Sequence, residues 1–176
     1  HMVAYFFEYA KYADRVKNGC GHGYEYLFAG EAAYCREQMD EAAAMFNSAM
    51  LKAQRTAQHD IILNALWNLG RIELYYGNHK TALALLGEIE NYVNERSLAG
   101  MYELRDCAIA YFYLQLGDAD RVPAWFTEAP AGPETTPISF ARKQLTSAHC
   151  LHMKGQAARA YAVLLQLEGQ LQGKGR

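Results

Sequence analysis

Apolar side chains recur along this chain at three- and four-residue spacing, and almost nowhere do they alternate with period two. That is the pattern of amphipathic helices, and it leaves no run that reads as a half-buried strand. The spacing predicts helices over 3–17, 24–36, 40–57, 60–76, 79–95, 97–116, 119–127, 138–154 and 156–171. Turn-forming residues fall between them. Asn18-Gly19 with Gly21 and Gly23 separates the first two helices, and Gly77-Asn78 and Gly117-Asp118 make tight helix–helix turns. Asp40 and Asp60 stand where N-caps are needed. Three prolines in PAGPETTP, at 130–137, forbid a helix and predict the longest loop.

The turns recur with a period. Glu37, Gly77, Gly117 and Gly155 lie 40, 40 and 38 residues apart. Seven positions before them are Gly30, Gly70, Ala110 and Ala148, all small. Five after them are Ala42, Ala82, Val122 and Ala160, and nine after are Phe46, Leu86, Phe126 and Leu164. Small residues let the helices of a hairpin approach closely, and the large apolar residue wedges between elements. The fold class expected is therefore all-α, an α-solenoid of antiparallel helix hairpins. Residues 3–172 form one domain of about four hairpins behind a leading helix, with 173–176 as a tail.

Leu69-Gly70, Gly77, Ala82 and Leu86 follow the pattern L-G-x(6)-G-x(4)-A-x(3)-L, which resembles a tetratricopeptide (TPR) repeat. The usual TPR period is shorter, about 34 residues. With its period near 40, the chain resembles the helical-repeat region of the MalT-like, large ATP-binding subclass of LuxR-type bacterial transcription regulators. The stretches that carry the likeness are YEYLFAGEAAYCREQMDEAAAMFNSAMLKA (24–53), ALWNLGRIELYYGNHKTALALLGEIE (65–90) and DCAIAYFYLQLGDADRVPAWF (106–126). The resemblance covers roughly residues 5–165. It implies a TPR-like right-handed superhelix lying between a nucleotide-binding module and a DNA-binding helix-turn-helix. It also implies a role in receiving an effector, either a small molecule or a partner protein, and so governing self-association. The sequence holds no GxxxxGK[ST] loop and no basic recognition helix, so neither ATP chemistry nor direct nucleic-acid contact is expected of it. A free-standing TPR-like adaptor for other proteins is the alternative.

Superhelices of this kind bind on the concave wall formed by the first helix of each pair. In the repeat register that wall takes Tyr24, Glu31 and Tyr34 from the first hairpin and Asn64, Trp67, Arg71 and Tyr75 from the second. Tyr111 and Gln115 follow from the third, then Arg142, His149 and His152 from the fourth. Aromatic area with a few donors suits a peptide or a metabolite. The same tyrosines also serve as half-buried packing residues with wetted hydroxyls. Arg71, set among Trp67, Leu74 and Tyr75, needs a partner. Either a ligand supplies it, or Glu31 or Glu73 does through a salt bridge.

Composition changes this picture little. The chain has 176 residues, half of them apolar, with 17 basic and 19 acidic side chains for a net charge of −2, so it offers no general attraction to nucleic acid or anionic lipid. The longest apolar run, Cys107 to Leu114, is too short to cross a bilayer, and no charged-then-apolar leader marks the chain for secretion. A cytoplasmic location is expected. The four cysteines have no CxxC pair and are expected as free, buried thiols. His149 and His152 share a helix face, but zinc needs two further ligands, and the other close pair is Cys20 with His22. No metal or cofactor is expected. Cys20-Gly21-His22 is the one nucleophile-like spot, and a local Cys-His pair rarely has catalytic geometry, so the reading is non-enzymatic. His1-Met2 reads as a cloning remnant before a helix that starts at once, as in a fragment cut from a longer chain. Its exposed solenoid ends make a homodimer expected in isolation.

Overall fold

The helices stop where the turn spacing predicts, and the backbone shows why. At Glu37, Gly77, Gly117 and Gly155 the chain turns left-handed, with φ of 59°, 75°, 79° and 72°, and Ala57 and Ser97 do the same at 53° and 51°. The N–H that follows each then donates five residues back: Gln38 to Ala33, Gln58 to Ala53, Asn78 to Glu73, Leu98 to Val93, Asp118 to Tyr113 and Gln156 to Leu151, at 2.8–3.1 Å. This Schellman closure satisfies carbonyls that the helix end would leave orphaned. Glycine takes the left-handed position without steric cost at three of these ends.

The computed structural model describes residues 23–128 and 137–173, with side chains over 23–128 and 143–170. The helix predicted over 3–17, the termini, Cys20, His22 and the loop before Pro137 lie outside the described residues. Along the rest run α1 (Tyr24–Tyr34), α2 (Met39–Thr56), α3 (His59–Tyr75) and α4 (His79–Glu95). A 3-10 turn (Ala99–Met101) leads to α5 (Tyr102–Gln115), and another (Ala119–Arg121) leads to α6 (Trp125–Glu128), α7 (Pro137–Met153) and α8 (Ala157–Gly173). No strand occurs among the described residues, and no described helix is long and apolar enough to cross a membrane.

Three local expectations need correction. The N-caps are Gln38 and Gln58, not Asp40 and Asp60, because the residue after each left-handed turn is already non-helical and its carbonyl accepts the first helical bond. The aspartates stand within the first turn, where their charge suits the helix N-terminus. The helix expected over 97–116 begins only at Tyr102, since Ser97 is left-handed and a 3-10 turn follows. The helix expected over 119–127 breaks in two at Val122, which is extended (φ −70°, ψ 132°) as a residue before proline must be.

The chain divides into two compact units, the first ending at Met101 and the second starting at Tyr102. In the first, α1 packs on α2, α2 on α3 and α3 on α4, while α1 also touches α3. Phe46, Ile61, Leu63, Leu86, Ile89 and Val93 are fully buried there. A methyl group at Gly30 would lie 2.6 Å from the Phe46 ring, so the small and large positions of the repeat meet as expected in the first hairpin. In the second unit α5 and α6 pack on α7, and α7 packs on α8, around Phe112, Phe126 and Cys150. The small positions Gly30, Gly70, Ala110 and Ala148 are buried, as are Ala42, Ala82, Val122 and Ala160. Of the large ones, Phe46, Leu86 and Phe126 are buried, but Leu164 is 41% exposed. It stands with Tyr161 and Leu165 on an uncovered face of α8. The thiols also divide: Cys107 and Cys150 are buried, whereas Cys35, in the turn after α1, is exposed.

Glu25 fastens the start of α1. Its carboxylate accepts the Gly23 N–H at 2.8 Å and meets Lys52 of α2 at 2.7 Å. Burial alone would raise this carboxyl, but the Lys52 ammonium and the Gly23 N–H outweigh it and hold it below its ordinary value. A lowered native value means that the stabilisation is complete above the unfolded-state value, about 4.3, and is lost as pH falls through the native one. Thermal melts of wild type and Lys52→Met are therefore expected to differ most near neutrality and to converge on acidification. A constant gap down to about pH 3 would refute the assignment.

Candidate functional site

In the first unit the residues that the sequence assigns to a wall on α1 and α3 come together in pairs separated by 40 positions, Glu31 with Arg71 and Tyr24 with Asn64. Arg71 Nη1 donates to Glu31 Oε1 and Oε2 at 3.3 and 3.2 Å and to Asn68 Oδ1 at 2.5 Å. Its guanidinium lies over the Tyr34 ring, 4.1 Å from the centroid. Arg71 has thus found the Glu31 partner that the sequence offered it. Both side chains of the pair stay about one-quarter accessible, so the pair is wetted and contributes on the order of 0.5–1 kcal/mol. Tyr24 and Asn64 meet through Asp60: the Tyr24 hydroxyl donates to the Asp60 carboxylate, and Asn64 Nδ2 donates to its carbonyl at 2.8 Å. Trp67 belongs to the core, 6% exposed. Tyr75 stands out in solvent with its neighbour Tyr76, their rings edge to face at 5.4 Å.

The second unit holds the remaining residues that the sequence assigns to a wall. Tyr111 is half-buried beside Phe112, with centroids 6.0 Å apart, and Gln115 is exposed at the end of α5. On α7, His149 is half-buried and His152 exposed, while the Arg142 side chain lies outside the described residues. No group of three or more His, Cys, Asp or Glu gathers to hold a metal ion among the described residues.

Among the described residues of this unit, a polar cluster forms outside the expected set. Asp106 accepts the Trp125 indole N–H at 3.0 Å and two Arg105 N–H groups at 2.8 and 2.9 Å. Lys143, 8% exposed, pairs with Glu103 at 2.8 Å and lies 5.5 Å from the Trp125 ring. These groups fasten α5, α6 and α7 to one another. One signal in the sequence marks them. In the repeat register Glu103, Arg105 and Asp106 occupy the places of Leu63, Ala65 and Leu66, which are buried core in the preceding hairpin. Charge at register positions that are core in the preceding hairpin forecasts a paired network, because an ion drawn partly out of water is stabilised by a partner.

Each unit, taken by itself, sets aromatic rings beside paired charges, Tyr34 with Arg71 and Glu31 in the first and Trp125 with Asp106 and Arg105 in the second. No family model matches the chain, and no curated protein or solved structure matches it.

Proposed function

We propose that this chain is the signal-receiving repeat domain of a MalT-like, LuxR-type transcription regulator. In this reading its hairpins continue as a right-handed superhelix with a period near 40 residues. The inner wall binds a small effector or partner protein in the cytoplasm and controls assembly of the parent regulator. It binds no DNA and hydrolyses no ATP itself. The observation that carries the reading is the Glu31–Arg71 ion pair, which joins the first helices of two successive hairpins at the same register, 40 residues apart. Stacking first helix on first helix is how repeat arrays build a continuous binding wall.

The test has two arms. Reading the parent gene on both sides should find a phosphate-binding loop upstream and a helix-turn-helix downstream. If neither is there, the adaptor reading takes over. A thermal-shift screen of metabolites and peptides should give a stabilising hit, and Arg71→Ala should lose that stabilisation while itself costing less than about 1–2 kcal/mol. A hit that stabilises Arg71→Ala as much as wild type would remove Arg71 from the wall.

A further inference from the structure

In the first unit α3 packs on both α1 and α2. Leu27 of α1, ten places before the turn, and Phe46 of α2, nine places after it, are 6% and 0% exposed there. The fourth hairpin, α7 with α8, carries leucine at both register positions, Leu145 and Leu164, and these are 54% and 41% exposed. Two neighbouring helices thus present core-type residues on one open face. In a repeat array that face is the seat of a following first helix.

The first unit shows what such a seat accepts. The face that α3 turns to α1 runs through Ile61, Asn64, Asn68 and Arg71, at spacings of three, seven and ten residues. Ile61 lies 3.3 Å from where a methyl group on Gly23 would be, and Arg71 pairs with Glu31 and covers the Tyr34 ring. A helix face of the same spacing is left exposed on α8: Ala158, Tyr161, Leu165 and Glu168, with Tyr161 at 63% and Leu165 at 48%. It bears a carboxylate where α3 has Arg71. The seat differs to match, because His149 holds the register place of Glu31 and exposed His152 follows one turn on. An imidazole N–H donates to a carboxylate whether or not the ring is charged.

We propose that a second copy of this chain fills the seat: α8 of each copy lies on α7 and α8 of the other about a two-fold axis, with Glu168 of one copy against His149 and His152 of the other. The directions agree. A helix seated as α3 is seated runs parallel to α7 and antiparallel to α8, and a two-fold axis between two α8 helices makes them antiparallel. Tyr161 and Leu165 of each copy then cover Leu145 and Leu164 of the other, and the four helices form one bundle. So small a patch gives a weak dimer, with a Kd on the order of 10 µM. This goes beyond the effector reading and does not depend on it, since it uses neither Arg71 nor the first unit.

Sedimentation velocity from about 1 to 500 µM brackets that Kd and should show a single monomer–dimer equilibrium. Tyr161→Lys, at a well-exposed position, should weaken the dimer more than about tenfold while keeping the circular dichroism melt of wild type. Leu164→Glu should do the same, and Tyr161→Lys covers the case that it misfolds. Glu168→Lys and His152→Glu should each weaken the dimer roughly three- to tenfold, and together they should return it to within about threefold of wild type. A monomer at every concentration overturns the proposal. So does growth past the dimer, the mark of a head-to-tail contact that does not close. A dimer that Tyr161→Lys leaves intact uses another surface, and a charge-swapped protein no better than its single variants has no contact between Glu168 and the histidines; either result overturns it too. Loss of metabolite stabilisation in Arg71→Ala with an unchanged dimer would separate this surface from the effector wall.

Discussion

Phe46→Ala is expected to destabilise the first unit by about 3–5 kcal/mol, the cost of a large cavity at a fully buried ring. The sharper expectation concerns its partner. Gly30→Ala on an ordinary helix surface would stabilise by up to about 1 kcal/mol, since glycine is the poorer helix former. Here the new methyl would lie 2.6 Å from Phe46 Cε1 and 2.8 Å from Cδ1, well inside contact distance. The ring has nowhere to move in a close-packed core, so Gly30→Ala is expected to cost about 1–2 kcal/mol net. In the Phe46→Ala background the clash is gone, and the same glycine substitution should turn stabilising by about 0.5–1 kcal/mol. Urea denaturation of the four proteins measures the sign change. Equal effects in both backgrounds would mean that the ring does not set the need for glycine.

That pair also shows what could be read in advance. Spacing alone located the four turns, and Glu37 joined them by register although it is not a glycine; all four are left-handed. The hairpin ends were legible because a Schellman closure is local and its residues are adjacent in sequence. The caps were not, because Asp40 and Asp60 look like caps by residue type while the preceding turn had already fixed where each helix starts. The break at Val122–Pro123 was missed for a related reason. Apolar periodicity continues through 119–127 even though the backbone cannot.

Within the candidate site, the contact between Glu31 and Arg71 was legible as one of two options because both hold the same register position. The network around Asp106 was not, because charges judged helix by helix look like solvated faces. Only comparison across hairpins shows that Arg105 and Lys143 share a register position with buried Ala65, and Asp106 and Gln144 with buried Leu66. Leu164 is the opposite case, a core-type residue at a core register position that is left exposed. Periodicity records what a position resembles and not whether anything covers it.

Asp106→Leu is the substitution that tests this reading of the network, because leucine is what the second hairpin carries at that position. By pattern it should be welcome. By chemistry it is expected to cost about 2–4 kcal/mol, since it strands the Trp125 N–H, bonded at 3.0 Å, and removes the carboxylate that pairs with Arg105. Asp106→Asn should cost less, about 1–2 kcal/mol. One asparagine oxygen can still accept from a single neighbour, but the carboxylate uses Oδ1 for Arg105 and Oδ2 for Trp125. The decisive protein is Asp106→Leu with Trp125→Phe. Phenylalanine keeps a ring against Phe126, where the centroids now stand 3.9 Å apart, and carries no donor to strand. Removing both partners of a hydrogen bond is much cheaper than removing one, so the double variant should recover roughly half of the loss caused by Asp106→Leu. Denaturant titration followed by circular dichroism gives all the values needed. If adding Trp125→Phe deepens the loss instead, the indole contributes through its area, and the Asp106 bond is incidental to how α5, α6 and α7 are held.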